Sequence, residues 1–337
     1  MVLGLLGLLG AVFAGLFVDA LTSPDPEDTS DDKQVSPEAS WNASLLDDPG
    51  ADNTPEGGQP ESDDVPEPED GDVTLEGGSL HDILTGNDGD DSVNGGAGND
   101  LLGGRDGDDR IDGDEGSDWV YGGGGADSLA GNAGSDDLQG NEGEDQIAGG
   151  AGNDVAAGHG GRDLMHGGSG DDSLIGGELA DTLRGGSGND ALQGGFGGDW
   201  VAGGEGEDTV DGGDGADTIF GSQGGRSDGQ ADFLNGGDGA DEIHASSGDY
   251  SSGGAGADTF FLEDIQTGDP VARICDFDRS EDALILIYDP IQHPDPVITI
   301  VTSGSSSDAT VLLDGIPVAE VLGGAGMQAG DLRLQPS

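Results

Sequence analysis

One cysteine, one lysine and fourteen aromatic side chains are all that 337 residues contain, and each shortage closes off a class of protein. Cys275 has no second cysteine to pair with, so no disulfide staples this chain, and its place in a predicted strand reads as a small buried hydrophobe. With Lys33 as the sole lysine, a phosphate-cradling P-loop is excluded. Nine basic residues stand against 71 acidic ones, a net charge of -62. No basic patch exists for nucleic acid, and the field of the chain repels phosphate. Low hydrophobicity with high charge marks a chain that stays unfolded until something neutralises it.

Catalytic signatures are scarce as well. His81, His159, His166, His244 and His293 show no H-E-x-x-H spacing and read as scattered surface residues. Gly225-Arg226-Ser227-Asp228-Gly229 matches the G-x-S-x-G elbow of hydrolases, but that elbow needs a strand before it and a helix after it. No catalytic residue is assigned and no enzymatic activity is expected. The competing enzyme reading requires a cleft with perturbed titratable groups outside the repeats.

What the chain does have is 70 glycines and a register. Asp82, Asp91, Asp100, Asp109, Asp118, Asp127, Asp136, Asp145, Asp154, Asp163, Asp172, Asp181, Asp190, Asp199, Asp208 and Asp217 recur at a strict nine-residue step between Gly77 and Phe220. Each unit reads G-G-x-G-x-D-x-U-x with U large and apolar, as in Gly212-Gly213-Asp214-Gly215-Ala216-Asp217-Thr218-Ile219-Phe220. The first six positions, rich in glycine, allow backbone conformations that turn carbonyls inward. The last three make a short strand that buries only U, so it is stable only when stacked on neighbours.

Two units make one coil of a flattened solenoid, and residues eighteen apart lie above one another. One column of turns carries Asp82, Asp100 and every eighteenth residue to Asp208, the other Asp91 to Asp217. Stacked strands lie about 4.8 Å apart, so each gap presents two carboxylates and several carbonyls. An oxygen-only cage of this kind suits Ca²⁺. Two columns of eight turns leave seven gaps each, hence about fourteen ions and about +28 of charge. Residues 77 to 261 carry 39 acidic side chains against five arginines, a net of -34, which those ions nearly cancel.

With these nonapeptides the chain resembles the RTX, or hemolysin-type calcium-binding, family of bacteria. The resemblance covers residues 77 to 261, and Ile274-Cys275-Asp276-Phe277-Asp278 with Glu281-Asp282-Ala283-Leu284 is similar to the family's C-terminal flank. It implies an all-β fold, a parallel β-roll solenoid folded by extracellular Ca²⁺. It also implies export by type I secretion machinery using an uncleaved C-terminal signal, and an extracellular or cell-surface location. Leu80 and Leu179 depart from the fourth-position glycine, and Ala156 from a bulky U.

Four zones follow. Residues 1–21 are apolar and uncharged up to Val18, about 27 Å as a helix, and read as a membrane helix or a signal with a small-residue cleavage pattern at Val18-Asp19-Ala20. Residues 22–76, with 18 acidic side chains and Lys33, read as a disordered acidic linker. The roll spans 77–261, with an insertion around Gly221 to Gln230. One further good unit at Gly236 to His244 contributes Asp241, a degenerate one places Tyr250 near the Asp position, and a last one contributes Asp258. Residues 262–337 read as a small β cap, with apolar runs at Ala283–Tyr288, Val297–Val301, Ala309–Leu313 and Pro317–Leu322 and a hairpin signal at Asp314-Gly315. Trp119 and Trp200, at position seven, face away from the core. The expected function is Ca²⁺ binding that drives folding outside the cytoplasm. The alternative is an adhesion or interaction module tethered by residues 1–21.

Overall fold

Every U side chain from Val93 to Ile219 is buried, and so are Leu234, Ile243 and Phe260 further along. They form one apolar seam between two sheets. In the computed structural model, which describes residues 71–222, 227–263, 270–302 and 307–337, one sheet has thirteen strands and the other fourteen. Successive strands of the roll alternate between the sheets, and up to Phe220 each pairs in parallel with roll strands eighteen residues away, as Val120 with Leu138 and Met165 with Leu183; the step becomes 24 and then 17 beyond the insertion. The only helical element among the described residues is a single 3-10 turn at Ala329–Asp331. None is long and apolar enough to cross a membrane.

The strands are longer than the three residues per unit that the pattern predicts. Most run for six, such as Leu164–Ser169 and Ser173–Glu178, taking in positions seven to nine and the first three positions of the next unit. The paired glycines therefore lie in the ladder, as Gly168 opposite Gly186. Glycine is needed for clearance there, where a Cβ on Gly168 would collide with the carbonyl oxygen of Gly150, and at position four. At Gly116, φ is 143°, and a Cβ would collide with the carbonyl oxygen of Gly98 in the coil above. Leu179, at the same position of its unit, takes φ 73° and turns its side chain into solvent.

Both expected boundaries of the roll shift. Thr74–Glu76 already pairs with Ser92–Asn94, with Leu75 packed on the core, although Val73 stands where the repeat has aspartate. The roll thus begins before residue 77, because one apolar side chain suffices to seat a strand. At the other end the sheets run on into the cap. Thr259–Leu262 pairs in parallel with Ala283–Tyr288, and Tyr250–Gly256 with Ala272–Ile274. The four apolar runs all form strands, and Ala309–Leu313 and Ile316–Val321 make an antiparallel hairpin around Asp314 (φ 52°) and Gly315 (φ 83°). The roll and the residues after it fall in one compact unit.

Candidate metal ladder

Position six of each unit hangs its carboxylate inside the turn column. In the first column the amide of Asp100 donates to Asp118 Oδ1 at 2.8 Å, Asp118 to Asp136 at 2.8 Å, and Asp154 to Asp172 at 2.9 Å. The second column repeats this from Asp91, whose amide donates to Asp109 Oδ1 at 2.8 Å, through Asp145 to Asp163 at 2.9 Å. Each aspartate is thus tied to the one eighteen residues earlier. Asp82 is half-buried, whereas Asp91 and all the later expected ladder residues through Asp217, Asp241 and Asp258 are buried.

Along most of the ladder one oxygen of the carboxylate is satisfied and the other is not; at Asp82, Asp91 and Asp249 the second oxygen also accepts, from the amides of Gly78, Asn87 and Ser246. Oδ2 of Asp100, Asp109, Asp118, Asp127, Asp136, Asp145, Asp154, Asp163, Asp172, Asp181, Asp190, Asp199, Asp208, Asp217 and Asp241 is buried without a hydrogen-bond partner. An unpaired buried carboxylate oxygen costs several kcal/mol unless a cation meets it. Desolvation, with a contribution from neighbouring ladder charges, pushes Asp127, Asp172, Asp181 and Asp190 up to about 7. Their backbone hydrogen bonds oppose the rise without cancelling it. Asp109, Asp136, Asp163, Asp208, Asp217 and Asp241 rise to about 6, again chiefly by burial.

These residues fit Ca²⁺. The ladder side chains are oxygen donors, and the first glycine of each unit lies so close to its own Oδ2 that a Cβ would collide with it, as at Gly149 and Asp154. Among the described residues no three His, Cys, Asp or Glu side chains converge on one point. The carboxylates would hold the ion together with backbone carbonyls, a hard-donor set that calcium takes in numbers of 6–8.

The ladder is longer than the nine-residue count. Asp208 donates to Asp232 Oδ1 at 3.0 Å across a step of 24, and Asp232 to Asp249 Oδ1 at 3.1 Å across a step of 17. Asp249, not Tyr250, therefore holds the Asp position of the degenerate unit. Tyr250 moves to position seven and stacks on Phe233 at 5.1 Å. The second column ends in the cap, where Asp258 donates to Asp282 Oδ1 at 3.1 Å. An apolar residue two places on marks Asp232, through Leu234, and Asp282, through Leu284. Asp249 has only Ser251 there, which is why its unit is hard to read.

A second ladder uses position five. The amides of Ser117, Ser135, Asn153, Asp171, Asn189 and Glu207 each donate to the side chain of the position-five residue eighteen earlier, at 2.8–3.3 Å. Of the remaining sequence candidates, Trp119 is exposed and Trp200 half-buried, covered by Phe220 at 5.3 Å and by the Arg184 guanidinium at 4.7 Å. His244 stacks between Phe220 and Phe261 and bonds Glu263, so it is no free surface histidine. Cys275 is half-buried just beyond the strand Ala272–Ile274 and not fully enclosed, and its thiol is pushed up by burial first. The G-x-S-x-G match and the apolar segment 1–21 lie wholly or partly outside the described residues.

Two parallel sheets joined by turns that stack carboxylates define a β-roll whose turn columns are built for hard cations. The model of the RTX calcium-binding nonapeptide repeat matches residues 70–102, 103–138, 139–174, 175–210, 193–225 and 226–251, more than half of the chain, and the chain belongs to that family. No curated protein matches it.

Proposed function

We propose that this is a calcium-loaded, non-enzymatic roll that folds outside the cytoplasm, on the bacterial surface or in the medium. The unpartnered Oδ2 atoms carry this reading, because fifteen desolvated carboxylates can stay charged in the fold only with a cation in reach. The proposed ligands are Asp82 to Asp217 in nine-residue steps, Asp241 and Asp258, with Asp232 and Asp249 added. About fourteen ions fill the uninterrupted part. Segments 1–21 and 22–73 serve as anchor or signal and as acidic spacer. Residues 262–337 cap the roll and carry the export signal read by type I machinery. In calcium-poor cytosol the chain stays unfolded and can thread a narrow channel.

The carboxyls raised to about 6, 7 or 8 all belong to the ladder, Asp109, Asp127 and Asp232 among them, as suits ligands of a cation. Circular dichroism during a Ca²⁺ titration tests the reading, with β signal expected to grow cooperatively and Mg²⁺ expected to fail. A full β spectrum in excess chelator at pH 8 overturns it. Fractionation of the native cells with and without chelator tests the location, and retention in the cytosol in folded form overturns that part.

A further inference from the structure

The two turn columns differ outside the aspartate ladder. Column one is stitched at position five without a break, from His81 through Asn99, Ser117, Ser135, Asn153 and Asp171 to Asn189 and Glu207. Column two is stitched only at its start, where Asp90 donates to Asp72, Asp108 to Asp90 and Ala126 to Asp108, at 3.2, 3.0 and 2.8 Å. From Ala126 onward position five is occupied by Ala126, Glu144, Arg162, Ala180, Gly198 and Ala216. The alanines and the glycine have no side-chain acceptor, and none of the six side chains accepts a bond of this kind from the coil that follows. Neighbouring residues of column two also depart from the repeat. Leu179 is 57% exposed and Phe196 is 62% exposed.

Position five precedes the aspartate ligand directly. Once two coils have stacked, a bond that fixes its amide to the neighbouring coil sets the spacing of the gap, and a gap already set loses less entropy when its ion binds. We infer that the roll holds two classes of calcium, a tighter one along the stitched column one and a weaker one along column two beyond Ala126. The inference rests on the calcium reading proposed above. It makes the calcium response graded, with column two the part that fills last and empties first as calcium falls. Exposed hydrogen bonds of this kind separate the classes by roughly threefold to tenfold in concentration.

The test is calorimetric and equilibrium-dialysis titration of the full chain with CaCl₂, for wild type and for two surface variants. Asn153→Ala removes a stitch from column one and is expected to move the tighter class several-fold toward higher calcium. Ala126→Asn combined with Ala180→Asn adds acceptors to column two and is expected to move the weaker class several-fold lower, narrowing the gap between classes. Far-UV spectra at saturating calcium verify that both variants are folded. Position five is exposed or half-buried at all three residues, so the core is untouched. A single class in wild type, or isotherms left unchanged by both variants, overturns the inference and leaves the calcium reading standing. A wild-type chain that binds no calcium overturns the calcium reading itself.

Discussion

The roll and the cap treat their carboxylates in opposite ways. Inside the roll most ladder aspartates have one oxygen bonded and the other buried bare, and desolvation drives the ladder carboxyls up, at Asp232 to about 8. In the cap the acidic side chains are consumed by backbone donors. Asp276 takes the amides of Gly253 and Gly254 at 3.0 and 2.8 Å and the hydroxyl of Ser252. Asp282 takes the amides of Asp258 and Asp278. Asp278, Asp289 and Asp314 are all pulled below the usual carboxylate range, Asp278 and Asp289 chiefly by backbone hydrogen bonds and Asp314 chiefly by its bond to His293. A segment whose polar atoms are already satisfied can fold on apolar contacts alone, whereas one with bare buried charges needs a counter-ion. The cap also meets the last coil with carboxylates in the places where a further coil would offer a carbonyl and an aspartate.

Chelation separates the two regions most sharply. In excess chelator the amides of residues 74–261 are expected to exchange at nearly the unfolded rate, while those of the antiparallel strands between Ile298 and Val321 keep measurable protection in hydrogen-exchange mass spectrometry. Equal loss in both regions would mean that the cap has no stability of its own.

Truncation after Phe261 comes next. Nonapeptide coils lose backbone freedom before any gap is complete, so the first coil is the costly one. The cap offers it a template: Phe260 lies opposite Leu284 and Leu262 opposite Leu286, and the hairpin at Asp314-Gly315 has low contact order. Without the cap the calcium midpoint should rise about tenfold, and deletion of residues 1–70 should leave it nearly unchanged. Matching midpoints would reduce the cap to a signal or a passive end.

Acidification should act with opposite sign on the two regions. A ladder carboxyl at about 6–7 in the metal-free roll, against an unfolded value of 3.8, gives the fold a contribution that is complete below the unfolded value. It disappears as pH rises through the folded value. In chelator the roll should therefore regain β signal as pH falls from 8 to 5, while with calcium present protons compete and the midpoint rises. The lowered cap carboxyls contribute above the unfolded value and lose that contribution only as pH falls below about 4. Loss of roll signal in chelator on going from pH 8 to 5 would contradict the desolvation argument.

Position along a column has the smallest expected effect. Asp145→Ala removes an acceptor for the Asp127 amide and a carboxylate shared by two gaps, whereas Asp91→Ala lies at the head of its column. The central change should shift the calcium midpoint about two to three times further and flatten the transition. Identical curves would argue against coupling between neighbouring gaps.

Much of this architecture was readable from spacing. A nine-residue step with one apolar residue two places after each aspartate allows few alternatives, since any other path exposes U or buries a stray charge. The metal class was readable too, because aspartate and glycine are all the unit repeats. The strand lengths were not, because glycine carries no side-chain pattern and its pairing in positions one to three arises only when coils stack. Asp232 and Asp249 were hidden by six extra residues and one missing one, which break the count while leaving the hydrogen bond intact. Position five was hidden for another reason: His, Asn, Ser and Asp share no obvious type, and they become a set only when stacked as acceptors.

The primary structure settled the period, the eighteen-residue stacking step and the oxygen chemistry of the turns, because these depend on which residue recurs at which interval along one chain. Which columns are stitched, where the ladder ends, and that Asp276 and Asp282 close it follow only from coils brought into contact. Those are properties of atoms eighteen or more residues apart, and no local pattern encodes the distance between them.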